Sequence, residues 1–257
     1  SSSAAIAAML GYEDGEEMSF DELLYIVSRI KAVSELPLSV DLEAGYSATT
    51  SHIIDNIQRL AHLGVSGINL EDSHVVNNTR RLDDAVVFAA KIQEITHACP
   101  DMFVNVRTDT FLLNVPNALD ETLYRGQLYA NHGGCGFFVP CVTRAEDITA
   151  IVRHVPLPLN VMCMPELADF STLSALGVKR ISMGNFIHAA TKSVARRRMP
   201  GQPPPLLSKR SACCEKTRRF ASVIANYVST ILARNAFAAG SCKTTGSPFR
   251  LFNGCSV

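Results

Sequence analysis

At 257 residues the chain has room for one large domain or two small ones. Hydrophobic residues make up 47% of it and charged residues 19%, which supports a sizeable core and excludes a globally disordered protein. The 24 basic and 24 acidic residues cancel, so no overall field draws the chain to nucleic acid or to an acidic surface.

The basic residues are unevenly spread. Arg196, Arg197, Arg198, Lys209, Arg210, Lys216, Arg218 and Arg219 crowd into one late stretch that reads as a solvated tail. None of the eight cysteines forms a C-x-x-C pair, so buried free thiols in a reducing compartment are expected. No apolar run reaches the roughly 18 residues of a membrane helix, and the start lacks the pattern of a signal peptide. The expectation is a soluble cytoplasmic protein with neither membrane nor nucleic-acid partners.

The chain opens on Ser1, Ser2 and Ser3 before a helix-like stretch. From about residue 20 two periodicities alternate. A helical pattern over 20–33 precedes an apolar run over 36–42. Helix 49–63 then leads to strand 67–70, helix 82–98 to strand 102–106, and helix 118–131 to strand 136–139. Helix 144–154 leads to strand 157–162, and helix 170–176 to strand 178–183. Such alternation predicts a parallel sheet covered by helices. The nearly continuous apolar runs predict strands buried on both faces.

Six strands fall two short of an α/β (β/α)8 TIM-type barrel. The barrel reading therefore places the first β/α unit and most of the second strand upstream of Ser1. A doubly wound open sheet is the alternative, with its ligand where the strand order reverses. Beyond residue 198 the periodicity lapses: Pro200, Pro203, Pro204 and Pro205 break any helix. The expected division is an incomplete barrel domain over 1–198 and a divergent, poorly ordered tail over 199–257.

Three polar groups close predicted strands, where barrel enzymes place their chemistry. They are Asp41-Leu42-Glu43-Ala44-Gly45-Tyr46, Asn69-Leu70-Glu71-Asp72-Ser73 and Asn105-Val106-Arg107-Thr108-Asp109. An acid at one strand end is commonly a helix cap or a solvated loop residue. Three groups at successive ends suggest a shared site. Carboxylates without a histidine–cysteine set suit a hard cation, Mg²⁺ or Mn²⁺. Arg107 offers a planar fork to a carboxylate or phosphonate.

At these residues the sequence resembles the isocitrate lyase and phosphoenolpyruvate mutase superfamily, over roughly residues 1–195. The 41–46 segment is similar to its D-x-D-x-G-Y motif, with Glu43 replacing the second aspartate. Residues 67–72 resemble its G-x-x-[IL]-E-D strand, and 106–109 its A-R-T-D strand. Ser2-Ser3-Ala4 is similar to its substrate-binding serine segment. Phe138-Val139-Pro140 and Pro158-Leu159-Asn160-Val161 resemble later strands of a bacterial subgroup.

The resemblance implies a Mg²⁺ enzyme (Mn²⁺ the alternative ion) acting on a small 2-oxo or 2-hydroxy acid through an enolate. It also implies a homotetramer that exchanges a C-terminal helix. Asp41, Glu43 and Glu71 would bind the metal, and Ser2, Ser3, Tyr46, Arg107 and Asn160 the substrate. Lyases of the superfamily carry a K-[KR]-C-G-H lid; here 73–80 is shorter and has no cysteine. In that lid Asn77 or Asn78 stands in for the mutase's asparagine, and His74 is the candidate acid/base beside Arg107. Cys135 replaces a usual aspartate. The expected function is C–C bond cleavage; P–C mutase or hydrolase chemistry and an inactive truncated copy are the alternatives.

Overall fold

A computed structural model describes residues 2–77 and 79–198, without the side chains of 193–198. The 199–257 segment lies outside the described residues. The helices are α1 (Ser3–Leu10), α2 (Phe20–Lys31), α3 (Thr50–His62), α4 (Ala85–Ala98), α5 (Ala118–Asn131), α6 (Ala145–His154), α7 (Phe170–Ala175) and α8 (Phe186–Arg198). Between them run β1 (Ser39–Asp41), β2 (Gly67–Glu71), β3 (Ser73–Val76), β4 (Thr79–Leu82), β5 (Phe103–Arg107), β6 (Gly136–Val139), β7 (Leu159–Met162) and β8 (Arg180–Ser182).

Local chemistry explains the helices. Phe20, Leu23 and Val27 of α2 and Ile53, Ile57 and Leu60 of α3 recur at helical spacing and are buried. Ser19 and Glu22 form a reciprocal capping box at the start of α2, and Asp84 accepts the Val86 and Val87 N–H groups at the start of α4.

Six strands form one parallel sheet in the order β1-β2-β5-β6-β7-β8. The sheet is strongly curled. Arg180 on β8 donates to Asn69 on β2 across 3.5 Å, although β5, β6 and β7 lie between them in the order. Four strand spacings in a flat sheet would separate them by about 19 Å. The described residues thus form an incomplete (β/α)8 barrel, and an open doubly wound sheet is excluded.

The strands are buried on both faces, but not by apolar residues alone. Val40, Ile68, Leu70, Val104, Val106, Phe137, Val139 and Val161 belong to the apolar core. Alternate positions turn inward and are polar: Asn105 Nδ2 donates to Asn69 Oδ1 (2.8 Å) and to Asn160 Oδ1 (3.1 Å). These three asparagines are buried and satisfy one another. The nearly continuous apolar runs expected for the strands are interrupted at these inward positions by asparagine.

All six expected strands and all six expected helices occur, with ends shifted by up to three residues. Three elements were not foreseen: β3 and β4, which pair as an antiparallel hairpin, and the helix α8.

Candidate active site

The C-terminal rim of the curled sheet carries two linked clusters, one acidic and one mixed. The acidic cluster begins at the end of β1. Ser3 Oγ donates to Asp41 Oδ2 at 2.8 Å, and its backbone N–H lies 3.4 Å from the same oxygen. Asp41 thereby sits at the amino end of α1, where the helix dipole favours negative charge.

Beyond Asp41 the chain makes a compact turn in which Glu43, Gly45 and Tyr46 all have positive φ. A side chain at Gly45 would meet Ile53 at 2.7 Å, so glycine is needed there for space as well as conformation. Left-handed Glu43 and Tyr46 are sparsely populated conformations that the surrounding packing must enforce. The turn aims both side chains at each other: Tyr46 Oη donates to Glu43 Oε1 at 3.1 Å. The Tyr46 N–H in turn donates to Glu16 Oε1 at 2.8 Å.

Burial pushes the Glu43 carboxyl up to about 7, reinforced by Asp41, Asp14 and Glu16. Burial likewise raises Asp14, with Asp41 adding to it. Two oxygens here are buried with no hydrogen-bond partner, Asp41 Oδ1 and Glu43 Oε2. A desolvated carboxylate oxygen without a donor is costly unless a cation compensates it.

The second cluster joins β2, β4 and β5. Glu71 receives Arg80 Nη1 on Oε1, and its Oε2 lies 2.9 Å from Arg107 Nη1 as an ion pair without hydrogen-bond geometry. Arg107 grips Asp109 with two further donors, Nε to Oδ1 at 2.6 Å and Nη2 to Oδ2 at 3.0 Å. Arg80 also reaches Ser73 Oγ (2.9 Å) and Asp109 Oδ2 (3.5 Å). Burial raises Glu71 against the opposing pull of both arginines. The Arg107 guanidinium also stacks over Phe138, 5.8 Å from the ring centre.

Asp72 turns the other way. Its carboxylate accepts from Thr108 Oγ1 (2.7 Å), the Asp109 N–H (3.0 Å), Arg125 Nη1 (2.9 Å) and Tyr129 Oη (2.7 Å). All of it is buried, so this is a fully satisfied charged knot tying the rim loops to α5.

The structure therefore brings Ser3, Asp41, Glu43 and Tyr46 together, and Glu71 together with Arg107. Ser2 caps α1, accepting the Ala5 N–H at 3.4 Å. Asn160 lies inside the barrel within the asparagine ladder. His74 is paired with Asp83 and its side chain is 45% exposed. The hairpin register sets His74 opposite Arg81, while Arg80 pairs with Val75; the two residues thus lie on opposite faces of the hairpin. Asn77, with φ of 50°, forms the exposed hairpin turn. Sequence reading missed Asp14, Glu16 and Arg80 as members of the rim, whereas Asp109 stood in one of the three expected strand-end groups. Among the described residues no three His, Cys, Asp or Glu side chains are grouped closely enough to ligate one ion.

The phosphoenolpyruvate phosphomutase family model matches residues 1–200. The chain belongs to this family. An uncharacterized protein of Mycobacterium tuberculosis (strain ATCC 25618 / H37Rv), Rv1998c, is 31% identical over 188 residues, 73% of this chain and 69% of that protein. Oxaloacetate decarboxylase 2 of Pseudomonas putida (strain W619) is 24% identical over 225 residues, 84% of this chain and 74% of that enzyme. A candidate phosphonomutase from Burkholderia cenocepacia J2315 superposes with a TM-score of 0.71 at 35% identity, covering 77% of this chain and 82% of its own. A phosphonopyruvate hydrolase solved with oxalate and Mg²⁺ shares the fold, with a TM-score of 0.66 at 20% identity, covering 90% and 83%. The superfamily expected from the strand-end motifs is thus the right one, and its members are lyases, mutases and hydrolases. No described helix is long and apolar enough to cross a membrane.

Proposed function

We propose that this phosphomutase-family chain is a Mg²⁺-dependent lyase cleaving a C–C bond of a small 2-oxo or 2-hydroxy carboxylic acid through an enolate. One observation carries the reading: the buried, hydrogen-bond-free oxygens of Asp41 and Glu43, two residues apart on the rim. Two hard oxygen donors, with water and substrate filling the other positions, is how Mg²⁺ is commonly held; Mn²⁺ suits the same donors. Asp41 and Glu43 would hold the ion. Glu71, already engaged by two guanidinium groups, would reach it through water.

When bound, the ion supplies positive charge beside the substrate's 2-oxo oxygen, where enolate charge develops. The chain's own groups prepare that position. Ser3 fixes one oxygen of Asp41, and Tyr46 fixes one oxygen of Glu43, so each acid keeps its other oxygen for the site. The arginines of the second cluster complement the charge of the acid. For an oxaloacetate-like substrate the bond between C3 and its carboxylate breaks, carbon dioxide departs, and the electron pair enters the carbonyl to form the enolate. Proton uptake at C3 completes the reaction.

The oxaloacetate decarboxylases among the relatives support C–C cleavage. A second reading, P–C bond chemistry on phosphonopyruvate-like acids, is favoured by the 35% identity to the candidate phosphonomutase. Turnover assays with oxaloacetate, 2-methylmalate and phosphonopyruvate, each with and without Mg²⁺, separate them. Cation-dependent turnover of a carbon acid is expected. Phosphonopyruvate consumption alone selects the second reading, and absence of both turnover and cation binding leaves an inactive family member.

A further inference from the structure

The two clusters of the rim are neutralised differently. Arg80 and Arg107 supply the mixed cluster with its own counter-charges. The acidic cluster is held by neutral donors: Ser3 Oγ on Asp41, Tyr46 Oη on Glu43 and the Tyr46 N–H on Glu16. Glu43 feels the charges of Asp41, Asp14 and Glu16 together, so four carboxyl groups crowd one corner of the mouth. Such a group of acids repels itself when no ion is bound.

A cation reaches that corner from the other end of the strand order. Arg180 opens β8, and its Nη1 donates to Asn69 Oδ1 on β2. Asn69 is in turn the register partner of Asp41 on β1. Partners on adjacent parallel strands stand about 4.8 Å apart with their side chains on the same face. The guanidinium therefore enters the barrel beside Asp41. Burial pushes it below the usual arginine range, and Asp41 is the acid that opposes this. A charge inside a barrel is costly unless a nearby opposite charge offsets it. The asparagine ladder fixes the seat. Asn105 Nδ2 bridges Asn69 and Asn160, and Asn160 Nδ2 donates to the Arg180 carbonyl at 3.3 Å.

We propose that Arg180 is the resident counter-charge of the acidic cluster: it stands beside Asp41 when no divalent ion is bound, and so sets how strongly the ion is held. It is a positioning residue, neither an ion ligand nor a substrate contact. The inference rests on the function proposed above, in which Asp41 and Glu43 hold the ion. The sign of the effect follows from linkage. A fixed cation stabilises the empty acids and repels the incoming ion, so it favours the ion-free chain over the loaded one. Removing its charge leaves the empty site less stable and makes binding of the ion tighter.

The test is titration of Mn²⁺ into the full chain followed by electron paramagnetic resonance, beside thermal melts without the ion and at saturating ion. Arg180→Gln removes the charge and keeps a donor for Asn69. It is expected to bind Mn²⁺ about 10-fold more tightly than the wild type, the order of effect of one unit charge at this range. Its melting temperature is expected to fall further without the ion than with it. Arg180→Lys keeps the charge and is expected to stay near the wild-type affinity. A merely structural arginine predicts the opposite sign, because disturbing the seat beside a ligand loosens the site. Unchanged or weakened Mn²⁺ binding by Arg180→Gln, with the wild type binding Mn²⁺, would overturn the inference and leave the metal reading standing. If Arg180→Gln is unfolded without the ion, folding at saturating Mn²⁺ is the expected outcome, and a chain unfolded under both conditions overturns the inference. A wild-type chain that binds no Mn²⁺ would overturn both.

Discussion

Glu71 and Asp72 are adjacent yet serve opposite faces of the sheet. Glu71 enters the rim cluster, whereas Asp72 disappears into a four-donor knot with Thr108, the Asp109 N–H, Arg125 and Tyr129. Replacing Asp72 by Ala strands the buried Arg125 charge, and a loss of about 3–5 kcal/mol is expected in urea unfolding. Arg125→Met together with Asp72→Leu should recover much of that loss, because it removes both charges. Glu43 carries a different signature. Its folded carboxyl is raised to about 7 by burial, above the 4.5 of a free glutamate. Between these values the Glu43 carboxyl holds its proton in the folded cation-free chain but not in the unfolded one, so its contribution to stability is fully present below about pH 4.5 and is lost as pH rises through 7. Glu43→Gln should flatten that fall in thermal melts followed from pH 5 to 8. A slope unchanged by the substitution would contradict the assignment. The two-residue alternation of strands accounts for the opposite directions of Glu71 and Asp72, which the sequence showed only as one acidic pair. Nothing local in the sequence marked Arg80, whose role emerges only from the hairpin register and its reach across to β2 and β5.

The helices and parallel strands were legible because their patterns are long and repeated: apolar residues at helical spacing in α2 and α3, then short β-branched runs. The β3–β4 hairpin was not, since each strand has only four residues and the flanking acids drew attention as ligands. Its signal was present in the paired asparagines at 77 and 78, of which Asn77 adopts the left-handed turn conformation. The inner asparagine ladder was hidden for another reason. Single polar residues within apolar runs look like interruptions until curling brings Asn69, Asn105 and Asn160 within hydrogen-bonding distance. Helix α5 packs closely through Gly126, where a Cβ would meet Val155 at 2.6 Å and Phe137 at 2.9 Å. Gly126→Ala should therefore destabilise by about 1–3 kcal/mol through overpacking, despite its better helix propensity. An unchanged or raised melting temperature would show that α5 can shift to accommodate it.

One apolar cluster runs from Ile6 of α1 to Val178 before β8, so the described barrel has a single continuous core. A single cooperative transition in circular dichroism is expected, with a broad, non-cooperative melt counting against it. Among the described residues β1 and β8 are the sheet edges, and each has only three residues, a length that limits edge-to-edge pairing. What the fold achieves with this frame is to bring the ends of β1, β2 and β5 to one mouth. There two acids with unsatisfied oxygens face a pair of arginines bearing their own counter-charges. Titration of Mn²⁺ followed by electron paramagnetic resonance tests that reading without requiring a substrate. Saturable binding by the wild type, weakened about 100-fold or more by Asp41→Asn or Glu43→Gln while the melting transition persists, is the expected result. Equal Mn²⁺ affinity in the wild type and both variants would contradict it.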